Sequence, residues 1–126
     1  MTIPSDRQAA FEHVAMHLLR QGKKSLRWGH CAYRGDDGLK CAVGCLISDE
    51  DYDPAMDNEG GEGGVSLDTQ RGACLVWPAL DDCPLTVDEL QELQRVHDCL
   101  LPVDWPIWLR RFANDFGFDA RFLEEA

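Results

Sequence analysis

The chain has 126 residues, about the length of one ordinary domain. Hydrophobic residues make up 44% of it and charged residues 28%, which excludes wholesale disorder, and no apolar run reaches the roughly 20 residues of a membrane span. The net charge of −11 excludes a generally basic nucleic-acid binder. Because the first residues lack the apolar stretch of a secretory signal, we expect a cytoplasmic protein whose six cysteines are reduced and unbridged.

The first predicted element is an amphipathic helix over residues 6–21. Ser5 is a suitable N-cap with Gln8 three residues later, and Gly22 is a suitable C-terminal stop. Between them apolar residues recur at helical spacing: Phe11, Val14, Ala15, Leu18 and Leu19.

A β-hairpin is predicted next. Residues 30–34 and 39–43 are two short runs, and the Gly-Asp-Asp-Gly sequence at 35–38 between them is typical of a hairpin loop. This places Cys31 and Cys41 on facing strands. Residues 44–47 are predicted to leave the second strand as a short helical turn.

Residues 48–64 are predicted to form an acidic, glycine-rich loop within one domain that spans 1–126. The segment has no basic residue and seven acidic ones: Asp49, Glu50, Asp51, Asp53, Asp57, Glu59 and Glu62. We interpret it as a loop rather than a linker, because neither flank could form a complete core alone.

Helices are predicted for most of the remaining chain. A short one over 67–75 would be capped by Ser66. A second begins at a capping box of Thr86 and Glu89 and stops before Pro102. A third runs from an Asp104 cap to Gly117, with Trp105, Trp108, Leu109, Phe112, Ala113 and Phe116 as its apolar stripe. The predicted fold class is therefore α+β, a helix-dominated single domain with one small hairpin.

Two stretches of this sequence resemble a known family. The strings CAYRG (31–35) and GLKCAVGCLI (38–47), together with Leu93-Gln94 and His97-Asp98, resemble a family of short uncharacterised proteins of bacteriophage, prophage and proteobacterial genomes. The resemblance extends from about Phe11 to Gly117. It implies a phage-type setting in a bacterial cell and assigns no activity to any residue.

A cysteine nucleophile is one candidate for chemistry. Cys41 or Cys31 could pair with His97, with Asp98 orienting the imidazole. However, neighbouring side chains on a helix diverge by about 100°, so His97 and Asp98 are expected to point apart. We favour His97 as a structural residue that hydrogen-bonds to the hairpin.

A zinc site is a second candidate. Cys31, Cys41 and Cys45 with His30 or His97 could supply its ligands, but only Cys41 and Cys45 approach the ligand spacing of common zinc motifs. We favour reduced cysteines that pack in the core, and we expect no cofactor.

A pair of histidines on the first helix is a third candidate. His13 and His17 lie one helical turn apart and could bind a metal together. The segment lacks the glutamate of a metalloprotease motif, so we favour two histidines at the edge of the apolar stripe.

The uneven charge points to a partner protein. Residues 1–47 hold seven Lys/Arg and four Asp/Glu, a net of +3, whereas residues 48–126 hold five and nineteen, a net of −14. We expect a basic surface of a host protein or protein complex to dock here, and neither a membrane nor a nucleic acid. The predicted contact residues are Asp49, Glu50, Asp51, Asp53, Tyr33 and Arg34.

Two hypotheses follow. The leading one is a non-enzymatic accessory protein of phage or prophage type that binds and modulates a host macromolecule, for example as an anti-defence inhibitor. The alternative is a small enzyme or zinc-binding protein centred on the cysteine and histidine residues.

Overall fold

The computed structural model describes residues 6–27, 30–57 and 74–124. It confirms the α+β class: helices dominate, and the described residues contain one two-stranded antiparallel sheet. No helix in these ranges combines the length and apolar character that crossing a bilayer requires.

Helix α1 spans Arg7–Gln21, as predicted, but its cap is Asp6. The Asp6 carboxylate accepts a hydrogen bond from the Ala9 backbone N–H over 2.8 Å, and Ser5 lies outside the described residues. Gly22 ends the helix with φ of 64°, a left-handed conformation that glycine adopts at low cost. The predicted apolar stripe faces the core, with Leu19 at its edge.

The hairpin lies earlier in the chain than predicted. Strands β1 (Leu26–Arg27) and β2 (His30–Cys31) are antiparallel, with Leu26 opposite Cys31 and Arg27 opposite His30. In the predicted position only a single bridge, Arg34 to Lys40, is formed. The second strand cannot extend because residues 41–47 turn into the core, and Cys31 therefore does not face Cys41.

The segment 41–47 is buried throughout and includes the predicted helical turn, as a 3-10 turn at Gly44–Leu46. Gly44 lies against the backbone of Tyr33. A Cβ atom at Gly44 would stand 2.1 Å from the Tyr33 carbonyl oxygen, so the close packing depends on glycine.

The described part of the predicted acidic loop consists mainly of two turns. Residues 49–51 form a turn, and Pro54–Asp57 forms a 3-10 turn whose last two residues are buried. The remainder of that loop and most of the predicted 67–75 helix lie outside the described residues.

Helix α2 (Val87–Cys99) begins at the predicted capping box. The Thr86 hydroxyl accepts from the Glu89 N–H over 3.2 Å, and the Glu89 carboxylate accepts from the Thr86 N–H over 2.8 Å. Arg7 of α1 adds an ion pair to the same carboxylate at 2.5 Å. The start of α2 is thereby tied to α1.

Helix α3 spans Trp105–Phe116 and a short helix α4 spans Arg121–Glu124. Asp104 is the N-cap residue of α3, as predicted, but it does not cap the helix through its side chain. A 3-10 turn, Pro102–Asp104, runs directly into α3, so Asp104 already has helical backbone angles and its side chain makes no capping bond. Gly117 closes α3 with φ of 79°.

One hydrophobic cluster joins the helices. Helix α3 packs against both α1 and α2. The Phe11 ring of α1 lies 5.3 Å from Phe112, 5.0 Å from Phe118 and 5.6 Å from Phe122, measured between centroids. At the other end of the cluster, buried Trp105 stacks on the ring of His97 at 5.6 Å. This stacking holds one face of the histidine while its two nitrogens make polar contacts.

Candidate functional site

His97 is fully buried, and both of its ring nitrogens are hydrogen-bonded. Nε2 lies 2.8 Å from the backbone nitrogen of Ser25, the residue before β1. Nδ1 lies 2.7 Å from Oδ1 of Asp98. Because a backbone N–H can only donate, Nε2 is the acceptor and the proton resides on Nδ1, which donates to Asp98. His97 makes a structural hydrogen bond, as predicted, but its partner is Ser25, which precedes both β1 and the predicted hairpin strands.

The expectation that His97 and Asp98 point apart is wrong. The Asp98 carboxylate turns back along α2, where Gln94, one turn earlier, donates to the same Oδ1 over 2.8 Å. Gln94 in turn accepts from the Val43 N–H over 3.1 Å. The hydrogen bond from Gln94 explains this side-chain orientation, because it holds the Asp98 carboxylate on the helix face that Gln94 and His97 share.

Cys31 completes this cluster, which we call the histidine hub (Ser25, Cys31, Gln94, His97 and Asp98). Ligand-type atoms of Cys31, His97 and Asp98 all lie within 4.8 Å of one another. Burial, followed by the negative charge of Asp98 and a hydrogen bond to it, raises the pKa of the Cys31 thiol to about 11. Cys31 is therefore a protonated thiol at neutral pH, not a thiolate nucleophile.

The hub lacks the free base that a cysteine enzyme requires. A general base must offer a lone pair to the proton that it removes. Nε2 of His97 already accepts from Ser25, and Nδ1 carries the proton. Cys31, His97 and Asp98 thus lie close together, as the catalytic hypothesis requires. However, the hydrogen bonds of His97 leave neither ring nitrogen able to accept a proton from Cys31, so the arrangement is structural.

Of the predicted zinc ligands, only Cys31 and His97 come together. Among the described residues, the one group of three potential ligands is Cys31, His97 and Asp98, without Cys41, Cys45 or His30. Cys41 instead accepts from the Gly44 N–H, and Cys45 donates to a backbone carbonyl. Burial raises the pKa of the Cys41 thiol well above its ordinary value and that of Cys45 to about 12. The six cysteines are all free thiols in the structure.

The group that does form fits zinc poorly. A neutral imidazole binds a metal through one nitrogen and keeps its proton on the other. A metal on Nδ1 of His97 would require the proton to move to Nε2, where it would meet the Ser25 N–H at 2.8 Å. Two donors would then face each other, so we derive no chemistry from a metal here.

The predicted partner-binding residues lie in a second region. Asp49, Glu50, Asp51 and Asp53, which we call the acidic turn, are all exposed. The side chain of Asp49 is 86% exposed yet pairs with Arg34 at 2.5 Å, and hydrogen bonding to Arg34 lowers the pKa of the Asp49 carboxyl.

Arg34 holds the acidic turn in place and is not free to contact a partner. Its Nη2 donates to the Ile47 carbonyl over 2.6 Å, and its guanidinium lies over the Tyr52 ring at 4.9 Å from the centroid. Only 18% of the Arg34 side chain is exposed. Tyr33 is 4% exposed, so a partner on this surface would scarcely reach it.

Asp57 anchors the end of the acidic turn, although the sequence suggested only one more charge in a loop. Its buried carboxylate accepts from the backbone N–H groups of Tyr33, at 2.7 Å, and Arg34, at 3.1 Å. The Tyr52 hydroxyl donates to it as well, over 2.5 Å. Burial, together with this bond, raises the pKa of Tyr52 above its ordinary range. Buried Met56 beside Asp57 was the available sequence signal that the segment returns to the core.

The two stretches that carry the family resemblance meet at the histidine hub, where Cys31 of the first lies beside His97 and Asp98 of the second. Comparison of the chain with protein-family profiles, curated proteins and solved structures finds no match.

Proposed function

We propose that the chain is a non-enzymatic binding protein that presents its acidic turn to a basic surface of a macromolecular partner. In the setting that the sequence resemblance implies, it is a phage or prophage accessory protein that acts in the bacterial cytoplasm on a host protein complex, for example as an anti-defence inhibitor. The observation that carries the proposal is an exposed carboxylate group fixed on a buried scaffold.

The scaffold supports a binding role because it reduces the entropy lost on docking. The acidic turn is held at its start by Arg34 and at its end by Asp57. A solubilising loop needs no such anchoring. A preorganised loop, in contrast, loses less conformational freedom when a partner binds.

The charge distribution supports a basic partner. Three of the four carboxylates in the turn, those of Glu50, Asp51 and Asp53, form no ion pair within the described part of the chain. They belong to the part of the sequence with a net charge of −14. Such a surface accelerates association with a basic one and is weakened by salt over a Debye length of about 8–10 Å.

The histidine hub argues against the enzymatic alternative. Its cysteine is protonated at neutral pH and its histidine has no free lone pair. Both groups instead join α2 to the hairpin region. The hub therefore supports a structural role.

The test uses the tagged full chain as bait in bacterial lysate, followed by association kinetics with the purified captured protein. We expect a variant with Asp49, Asp51 and Asp53 changed to Asn and Glu50 changed to Gln to associate more slowly, as the wild type does at high salt. The matched control neutralises four other exposed carboxylates: Asp36, Asp37, Asp81 and Asp82. Equal association of both variants and the wild type in low salt would show that the turn only solubilises the chain.

A further inference from the structure

We propose that His13 and His17 on α1 form a two-histidine binding site for a divalent transition-metal ion, with Nδ1 of each ring as the ligand atom. The site is separate from the histidine hub and from the acidic turn. It is carried by the direction of two hydrogen bonds and by the groove into which the rings open.

The hydrogen bonds fix the tautomer of both rings. Nε2 of His13 lies 3.2 Å from the Cys45 carbonyl oxygen, and Nε2 of His17 lies 2.9 Å from the Lys40 carbonyl oxygen. A carbonyl oxygen can only accept, so each Nε2 carries the proton and each Nδ1 retains its lone pair. This is the reverse of the arrangement at His97, where a backbone N–H occupies a ring lone pair.

The contacts reproduce the support that metal-binding histidines usually have. Such histidines donate their second N–H to a carboxylate, a backbone carbonyl or water, which fixes the orientation of the ring. Both Nδ1 atoms make no hydrogen bond with the described residues, and neither is among their buried, unpaired polar atoms. Two lone pairs are therefore open to solvent.

The spacing brings the rings to one side of the helix. Residues four positions apart have Cβ atoms about 5–6 Å apart on the same helical face, the spacing of the two histidines in helical zinc motifs. Both rings line one open groove of about 670 Å³, with Glu12, Met16, Arg20 and Gln21 as its other described lining residues. Glu12 adds a negative charge at one end and Arg20 a positive charge at the other.

The chemistry of the ligand atoms selects the ion. Imidazole is a borderline ligand that suits copper, nickel and zinc. The affinity of such a site rises from Ni²⁺ to Cu²⁺ and is lower again for Zn²⁺. Among the described residues that line the groove, the two rings are the only imidazole ligands and Glu12 supplies the one carboxylate.

The experiment titrates the full chain with Ni²⁺ after exposed thiols have been blocked with iodoacetamide. Affinity is measured by calorimetry, and the ion is located by paramagnetic broadening of histidine NMR signals. We expect selective broadening at His13 and His17, and affinity reduced by about tenfold or more in His13→Gln and in His17→Gln. Glutamine keeps an N–H that can reach the carbonyl, but its amide oxygen is a weaker ligand for Ni²⁺ than an imidazole nitrogen.

The matched control is His30→Gln, since His30 is exposed and lies outside the groove. We expect it to bind Ni²⁺ as the wild type does, and thermal melts without metal verify that each variant is folded. Broadening of the wild type centred on His30 or His97, or no binding of Ni²⁺ at all, would overturn the proposal. The pattern of NMR broadening in the wild-type protein locates the ion even where a variant fails to fold.

Discussion

The backbone N–H of Ser25 donates to Nε2 of His97 over 2.8 Å, across 72 positions of sequence. A backbone donor cannot be reoriented by a change of rotamer. The contact therefore fixes which nitrogen of the imidazole carries the proton, and with it the direction of the bond to Asp98. A single contact thus decides between a structural and a catalytic interpretation of the same residues.

Replacing His97 should destabilise the fold. In His97→Ala the buried Ser25 N–H loses its acceptor, which typically costs about 1–3 kcal/mol, and the loss of packing against Trp105 adds to this. Urea denaturation measures the free energy of unfolding. Arg95→Ala, an exposed position on the same helix, is the control and should change stability by less than about 0.5 kcal/mol. An unchanged stability for His97→Ala, combined with loss of a biochemical activity, would favour the catalytic alternative.

Asp98→Asn should make Cys31 more reactive. The Asp98 charge contributes to the raised pKa of Cys31, so its removal lowers that pKa and increases the thiolate fraction at pH 8 several-fold. Mass spectrometry after timed alkylation measures the rate, with exposed Cys99 as the internal reference and buried Cys41 as the slow limit. A catalytic arrangement predicts the opposite: rapid alkylation of Cys31 in the wild type and a slower rate in Asp98→Asn.

The Glu89 carboxylate should make the fold sensitive to acid. Burial opposes its ionisation, but hydrogen bonds from Arg7 and Thr86 outweigh this and lower the pKa of Glu89. A folded-state pKa below the unfolded value of about 4.3 gives stability that is present above pH 4.3 and lost as pH falls through the lowered pKa. In Glu89→Gln the unfolding free energy should be lower at pH 7 and should fall less towards pH 3.

The control for this titration is Glu92→Gln, since Glu92 pairs with Arg95 on the surface of the same helix. Surface pairs contribute little, so its curve should follow that of the wild type. If the curve of Glu89→Gln ran parallel to both, the Arg7–Glu89 ion pair would not be the source of acid sensitivity.

Asp57→Asn should loosen the acidic turn. An amide offers one acceptor oxygen where the carboxylate offers two, so at least one of its three donors loses its acceptor, at a cost of about 1–3 kcal/mol for a buried N–H. Hydrogen exchange at the amides of Tyr33 and Arg34 measures the effect and should accelerate. Asp53→Asn is the control, because this exposed residue can keep its bond to the Ala55 N–H through the remaining oxygen. Equal protection in both variants would contradict the anchoring role.

The features that were predicted correctly depend on neighbouring residues. The Thr86 capping box and the Gly22 stop are formed within a few positions, and the apolar stripes of α1 and α3 repeat every turn. The hairpin was misplaced because each strand has only two residues, too few to show alternation. The Gly-Asp-Asp-Gly sequence at 35–38, which was predicted to be a hairpin loop, contains a 3-10 turn instead.

The candidate site was predicted only in part, because its decisive contacts are long-range. The pattern of His97 and Asp98 was visible, and Gln94 lies at the spacing that puts it on the same face. Nothing near His97 in sequence indicates the Ser25 donor, and nothing near Asp57 indicates that Tyr33 and Arg34 donate to it. The proton positions depend on these partners, and so the chemistry could not be inferred from residue types alone.

The contact between Gly44 and Tyr33 limits which residues position 44 can accept. Even alanine at position 44 would drive its methyl group into the Tyr33 carbonyl oxygen and displace the buried 41–47 segment. Gly38, by contrast, has open space around it and requires only a positive φ, which asparagine also tolerates. In a library of all single substitutions, position 44 should accept glycine alone. A recognisable string such as CAVGC can therefore persist through steric exclusion, with no reaction to preserve it.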